Sequence, residues 1–173
     1  MTTSGESTDS ILGQEFLTWL WYQSDVAPGA FVDKAGAPFS LSMEQRVVVE
    51  GGEGDLREVA TVPGSLSPLR EARFGLGTGK KVTRALVRLE KEELAFQLSL
   101  KAEDFCLNSL KTPKIDKGDA DDDPDALLLE KFYLVETCLD LLDALYAYFL
   151  ALRLSPRWDA TVADMRQWMT RTE

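Results

Sequence analysis

The chain reads as an α+β domain. Its antiparallel sheet comes from two β-hairpins with a short helix between them, an N-terminal helix before them and two C-terminal helices after, one of them long. Three observations predict this. Period-two alternation of apolar residues marks residues 37–62 and 81–100, each time around a turn-rich pause. Apolar residues at helical spacing follow residue 10. A proline-capped, mostly apolar run fills the last third, as expected of a helical layer covering a sheet.

Residues 1–10, MTTSGESTDS, are polar and read as a disordered lead. The single domain then spans 11–173. In ILGQEFLTWLWYQS, Leu12, Phe16, Trp19 and Leu20 recur on one side of a helix, which Pro28 and Gly29 end. Trp19, Trp21 and Tyr22 read either as core packing or as a platform for stacked bases or a partner. In the first hairpin, FSLSMEQRVVVE leads through the turn signal GGEGD to REVATV. SPLREARFGL, 67–76, is a short helix with Ser67 as N-cap and Pro68 at the first helical position, stopped by Gly75, Gly77 and Gly79.

The second hairpin alternates more cleanly. KKVTRALVRLE sets Val82, Arg84, Leu86 and Arg88 on one face, with Thr83, Ala85, Val87 and Leu89 on the other. EKEE, 90–93, turns the chain, and Leu94, Phe96, Leu98 and Leu100 form the apolar face of the return strand. KTPKIDKGDADDDPD, 111–125, is too polar to pack and reads as an acidic loop. Asp123 caps the long helix with Pro124 at its first position, and Ser155–Pro156 repeats that signal for a last helix bearing Trp158, Val162, Met165, Trp168 and Met169. A helix as apolar as 124–154 needs covering, by the sheet or by another chain.

Composition excludes much chemistry. The chain has 173 residues, 45% of them apolar, and no histidine. Ser-His-Asp triads, Cys-His pairs and His-ligated metals are therefore ruled out. Cys106 and Cys138 match no CxxC spacing and read as reduced core residues of a cytoplasmic protein. The lead lacks the basic segment of a secretory signal, and no uncharged apolar run reaches membrane-spanning length. GLGTGKK, 75–81, fails as a P-loop: the glycine spacing is one residue short, and Lys81 stands where Ser or Thr would bind magnesium. The Asp run of 116–125 lacks calcium-loop spacing. No catalytic constellation emerges, so the expectation is a non-enzymatic protein without cofactor, metal or small-molecule substrate.

Between Leu69 and Leu89 stand Arg70, Arg73, Lys80, Lys81, Arg84 and Arg88 against one acid, Glu71, a local +5 in a chain of net charge −10. Such an island is either a solvated face balancing nearby acids or a contact for a polyanion. Arginine and lysine on a regular strand suit sequence-independent phosphate contacts, and Lys111 and Lys114 of KTPK extend the set.

Three strings carry a resemblance: LGQEFLTWLWYQSD (12–25), MEQRVVVEGGEGDLREVATVPGSLSPLREARFGLGTGKKVTRALVRLE (43–90) and FQLSLKAEDFCLNSLKTPK (96–114). Together they resemble the C-terminal half of the recombination-associated protein RdgC family, over roughly residues 11–172. The resemblance implies a non-catalytic protein of DNA recombination. Members of that family form dimeric rings around duplex DNA, bind without strong sequence preference and restrain the RecA recombinase. It places Lys80, Lys81 and Arg84 on the family's lysine-bearing strand. It also implies a homo-oligomer, or a partner in the form of a separately encoded N-terminal half, and a cytoplasmic, nucleoid-associated location. Two other readings stay open on the residues: an interaction subunit that does not touch DNA, and an acidic DNA mimic.

Overall fold

The computed structural model describes residues 8–50, 58–61, 73, 75–77, 79–105, 107–115 and 123–171. Among them run α1 (Thr8–Val26), β1 (Phe31–Val32), β2 (Pro38–Glu50), β3 (Glu58–Thr61), β4 (Lys81–Lys91), β5 (Leu94–Lys101), β6 (Leu107–Lys111), α2 (Pro124–Arg153) and α3 (Trp158–Thr170). The fold is α+β with one antiparallel sheet. Five strands lie in the order β1-β2-β4-β5-β6, and β3 pairs with the edge of β2 that β1 also uses. The first hairpin is thus β2 with β3, and its GGEGD turn lies outside the described residues.

The inner face of the sheet is apolar because alternate residues point one way. Leu41, Val47 and Val49 of β2, Val82, Ala85, Val87 and Leu89 of β4, and Phe96, Leu98 and Leu100 of β5 are all buried. α1 lies across β2 and β4, and on its other side meets α2 and α3. Covered from both directions, it buries Phe16, Leu17, Trp19, Leu20 and Trp21, so it is apolar around most of its circumference. The aromatic side chains of α1 are thus core: Phe16 and Trp19 lie 5.3 and 5.6 Å from the ring of Phe149, and Trp21 lies 5.4 Å from Trp168. Tyr22, half-buried, meets Trp168 edge to face. Polar clamps fix α1 near its middle and at its C-terminal end. Arg153 Nε donates to Glu15 at 2.7 Å, and Trp168 Nε1 donates to Asp25 at 2.9 Å.

The approach of α1 to the sheet is set by Gly13. A Cβ there would lie 1.9 Å from the carbonyl oxygen of Ala102, at the exit of β5. Only the missing side chain lets the helix backbone come so near.

Several elements differ from the expectation. Helix α1 begins at Thr8, inside the expected lead, and residues 1–7 lie outside the described set. The short strand β1 forms because Asp33 folds the chain back: its Oδ1 accepts from the N–H groups of Ala35 and Ala37, and its Oδ2 takes Lys91 Nζ. Lys91, then Ala37, hold the Asp33 carboxyl below the usual range, and Asp33 raises Lys91 in return. Glu90 and Lys91 still pair with Ala95 and Leu94, which leaves Glu92 and Glu93 alone as the turn, with Glu92 at φ 52°. β6 was not expected. It carries Lys111, so the expected loop loses its first residue to a strand; residues 112–115 are irregular, and residues 116–122 lie outside the described set.

Val82 changes face. The β2–β4 register slips between Val48, opposite Arg84, and Val49, opposite Val82, and this bulge turns Val82 inward with Ala85 and Val87. Of the expected helix at 67–76, residues 67–72 lie outside the described set, while Arg73 and Gly75–Gly77 are helical. Gly75 and Gly77 belong to that helix, and Gly79 ends it. Gly79 has φ +96°, its N–H reaches the carbonyl of Leu76, and the N–H of Lys80 reaches that of Gly75.

Asp123 does cap α2, accepting from Asp125 and Ala126 N–H with Pro124 in the first turn. Ser155 instead shapes a turn: its Oγ accepts from Arg157 N–H at 3.2 Å, and α3 starts at Trp158. On α2, Leu134, Cys138, Leu141, Leu145 and Phe149 face the core. Burial raises the Cys138 thiol to about 11, whereas Cys106 lies outside the described residues. In a Cys106→Ser background, native protein at mildly alkaline pH should react with a disulfide reagent orders of magnitude more slowly than protein in denaturant. Equal rates would show that Cys138 is accessible.

Candidate nucleic-acid interface

The outer face of the sheet, opposite α1, is polar. Register fixes its pattern across β4, β5 and β6. Arg84 lies opposite Lys101, and Arg88 opposite Gln97, which in turn faces Lys111. Between these rows Leu86 faces Ser99, and Ser99 faces Asn108. Neighbouring strands are about 4.8 Å apart, so three strands set these groups on a band roughly 10 Å wide. A cavity of about 320 Å³ opens in the band, lined by Arg84, Leu86, Gln97, Ser99, Asn108, Ser109 and Lys111. The β5–β6 register slips here, and Ser109 sits at φ 55°, so the sheet departs from a flat ladder at the cavity.

The basic residues singled out in the sequence do not form one cluster. Arg84 and Arg88 share the outer face, because β4 runs in unbroken register with β5 from Arg84 to Lys91. Lys111 joins them through β6, and exposed Lys114 lies in the irregular segment just beyond. Lys101, which the sequence reading did not single out, completes the set. Its signal was the alternation itself, since it follows Gln97 and Ser99 on the outward positions of β5.

The rest of the island is used elsewhere. Arg73 Nη2 donates to the carbonyl of Arg171 at 2.6 Å, and its guanidinium stacks over Trp168 at 5.7 Å. It fastens the end of α3, where the helix dipole favours a cation. The stem of Lys80 lies over Gly75, where an added Cβ would come 2.9 Å from Lys80 Cδ. Exposed Lys81, beyond the β4 bulge, lines a different cavity against α1 and α3. Arg70 lies outside the described residues.

Charge is thereby segregated. Arg84, Arg88, Lys101 and Lys111 share the outer face of β4–β6 with one acid there, Glu90, which pairs with Arg88. The far side of the molecule carries exposed Glu130, Glu136, Asp140 and Asp143 of α2, the last two bridged by Lys34. An anion would be steered to the sheet and away from the helices. No family model, curated protein or solved structure matches the chain. The chemistry of the face therefore stands on its own residues. Guanidinium and ammonium groups on rigid strands, with amide and hydroxyl donors between them, suit phosphate oxygens. Among the described residues, no three His, Cys, Asp or Glu side chains converge as a metal site, and no helix is long and apolar enough to cross a membrane.

Proposed function

We infer that the chain is a non-catalytic protein that contacts the phosphate backbone of DNA through the outer face of β4–β6, without reading sequence. One observation carries this: Arg84, Arg88, Lys101 and Lys111 meet on one solvated face of an otherwise acidic molecule. Short donors flank them, a set that suits phosphate oxygens rather than base edges. The resemblance to the RdgC family extends the reading to DNA recombination and to modulation of the RecA recombinase.

The test is fluorescence anisotropy of the chain against labelled duplexes of unrelated sequence over a salt series. Four phosphate contacts predict a log–log salt slope of about −3.5, and Arg84→Ala with Lys101→Ala should lower its magnitude by about 2, equally for every sequence. An unchanged slope in the double variant would reject this face.

A second reading rests on α2. None of its residues before Leu134 is fully buried, and Leu128, Leu129, Phe132 and Tyr133 are 50, 70, 62 and 61% exposed. Leu128, Phe132, Val135 and Leu139 recur at spacings of four, three and four, a stripe that reads the same in both directions. An antiparallel second copy would set Leu128 against Leu139 and Phe132 against Val135. On this reading the chain is an interaction subunit. It would be favoured by a lack of DNA binding even at low salt, together with sedimentation as a dimer.

A further inference from the structure

Lys81 leads to a second site, distinct from the sheet face. A cavity of about 500 Å³ opens between α1, the Gly79 bend and α3. That volume lies within the roughly 300–1,000 Å³ of small-molecule pockets. Much of its lining is apolar: Leu76, Trp158 and Met165 are buried and Val162 and Met169 half-buried, while Gln14, Thr18 and Thr170 add polar groups. Two of these are methionines, whose flexible thioethers accommodate varied apolar shapes. Charged groups line it too. Lys81 and Arg166 are exposed there, while the carboxylate of Glu15 is already taken by Arg153. An apolar chamber with two cations at its mouth selects a ligand with an apolar body and one anionic head.

We propose that this cavity binds a small amphipathic carboxylate, its chain lying against Trp158, Val162 and the two methionines and its head group at Lys81 and Arg166. The site depends neither on the DNA reading of the sheet face nor on the pairing of α2. Burial of the chain supplies most of the affinity, and the rim cations give the preference for an anion.

The test uses the full chain, labelled with ¹⁵N, and decanoate below its micelle threshold, with decan-1-ol as the uncharged comparison. Decanoate should move the indole N–H signal of Trp158 and leave those of Trp19 and Trp21 in place. It should bind roughly tenfold more tightly than the alcohol, about the size of one charge-assisted hydrogen bond. Lys81→Glu with Arg166→Glu, both on the exposed rim, should remove that preference and leave alcohol binding intact. Val162→Trp, which fills the chamber, should remove both. No movement at Trp158, equal movement at Trp19 and Trp21, or equal affinity for acid and alcohol would each overturn the proposal. The DNA titration is separate, so loss of one site is distinguishable from loss of the other.

Discussion

Gly13→Ala is expected to destabilise the domain by about 3 kcal/mol, the upper end of what overpacking usually costs. The added methyl would lie 1.9 Å from the Ala102 oxygen, and Ala102 is 2% exposed, with its N–H bound to the carbonyl of Thr83. The obstacle is backbone held by the sheet, not the end of a movable side chain. α1 must therefore lift, and with it Phe16 and Trp19. Helix propensity opposes this by only about 1 kcal/mol in favour of alanine. Gly77→Ala is the control: nothing lies within 4 Å of its added Cβ, so it should leave stability unchanged or slightly raised. Urea unfolding followed by tryptophan fluorescence reads both. An unshifted midpoint for Gly13→Ala would mean that α1 does not rest on the β5 exit.

Phe149→Ala should cost about 3–5 kcal/mol, as for other deleted core rings. Phe149 is fully buried, and its ring meets Phe16, Trp19, Tyr146 and Trp158 at 5.3 to 6.3 Å. It is where α1, α2 and the start of α3 converge, so the void opens between helices that the sheet cannot close. Phe149→Leu keeps most of the volume and should recover more than half of the loss. With total stabilities near 5–15 kcal/mol, the alanine variant should sit close to unfolding at 37 °C. A loss below about 1 kcal/mol would show that α2 is not docked through this ring.

The strands with clean alternation are legible in the sequence alone. Phe96, Leu98 and Leu100 repeat with period two, and Asp123–Pro124 marks the start of α2 because cap and first-turn chemistry are local. What stays hidden depends on partners distant in sequence. β6, LNSLK, has no β-branched residue and exists because β5 offers it an edge. β1 exists because Asp33 bends the chain. The same distinction divides the candidate site. Arg84 and Arg88 are two repeats apart in the same alternation and can be paired by counting. The bulge at Val48/Val49, which turns Val82 inward, cannot be counted. Nor does spacing reveal that Arg73 is drawn to Arg171, a hydrogen bond across 98 positions.

The placement of α1 also sets an order of assembly. The β1–β2, β2–β3, β4–β5 and β5–β6 pairs join strands that follow one another in the chain, so each closes a short loop. α1 meets β1 and β2, which follow it, but is completed only by distant elements. Its clamps to Arg153 and Trp168 span 138 and 143 positions. It leaves the ribosome before every surface that will cover it, carrying Phe16, Trp19, Leu20 and Trp21 uncovered while the sheet forms. Such a helix is an inviting target for a chaperone during synthesis, and its burial waits on the last helix to arrive.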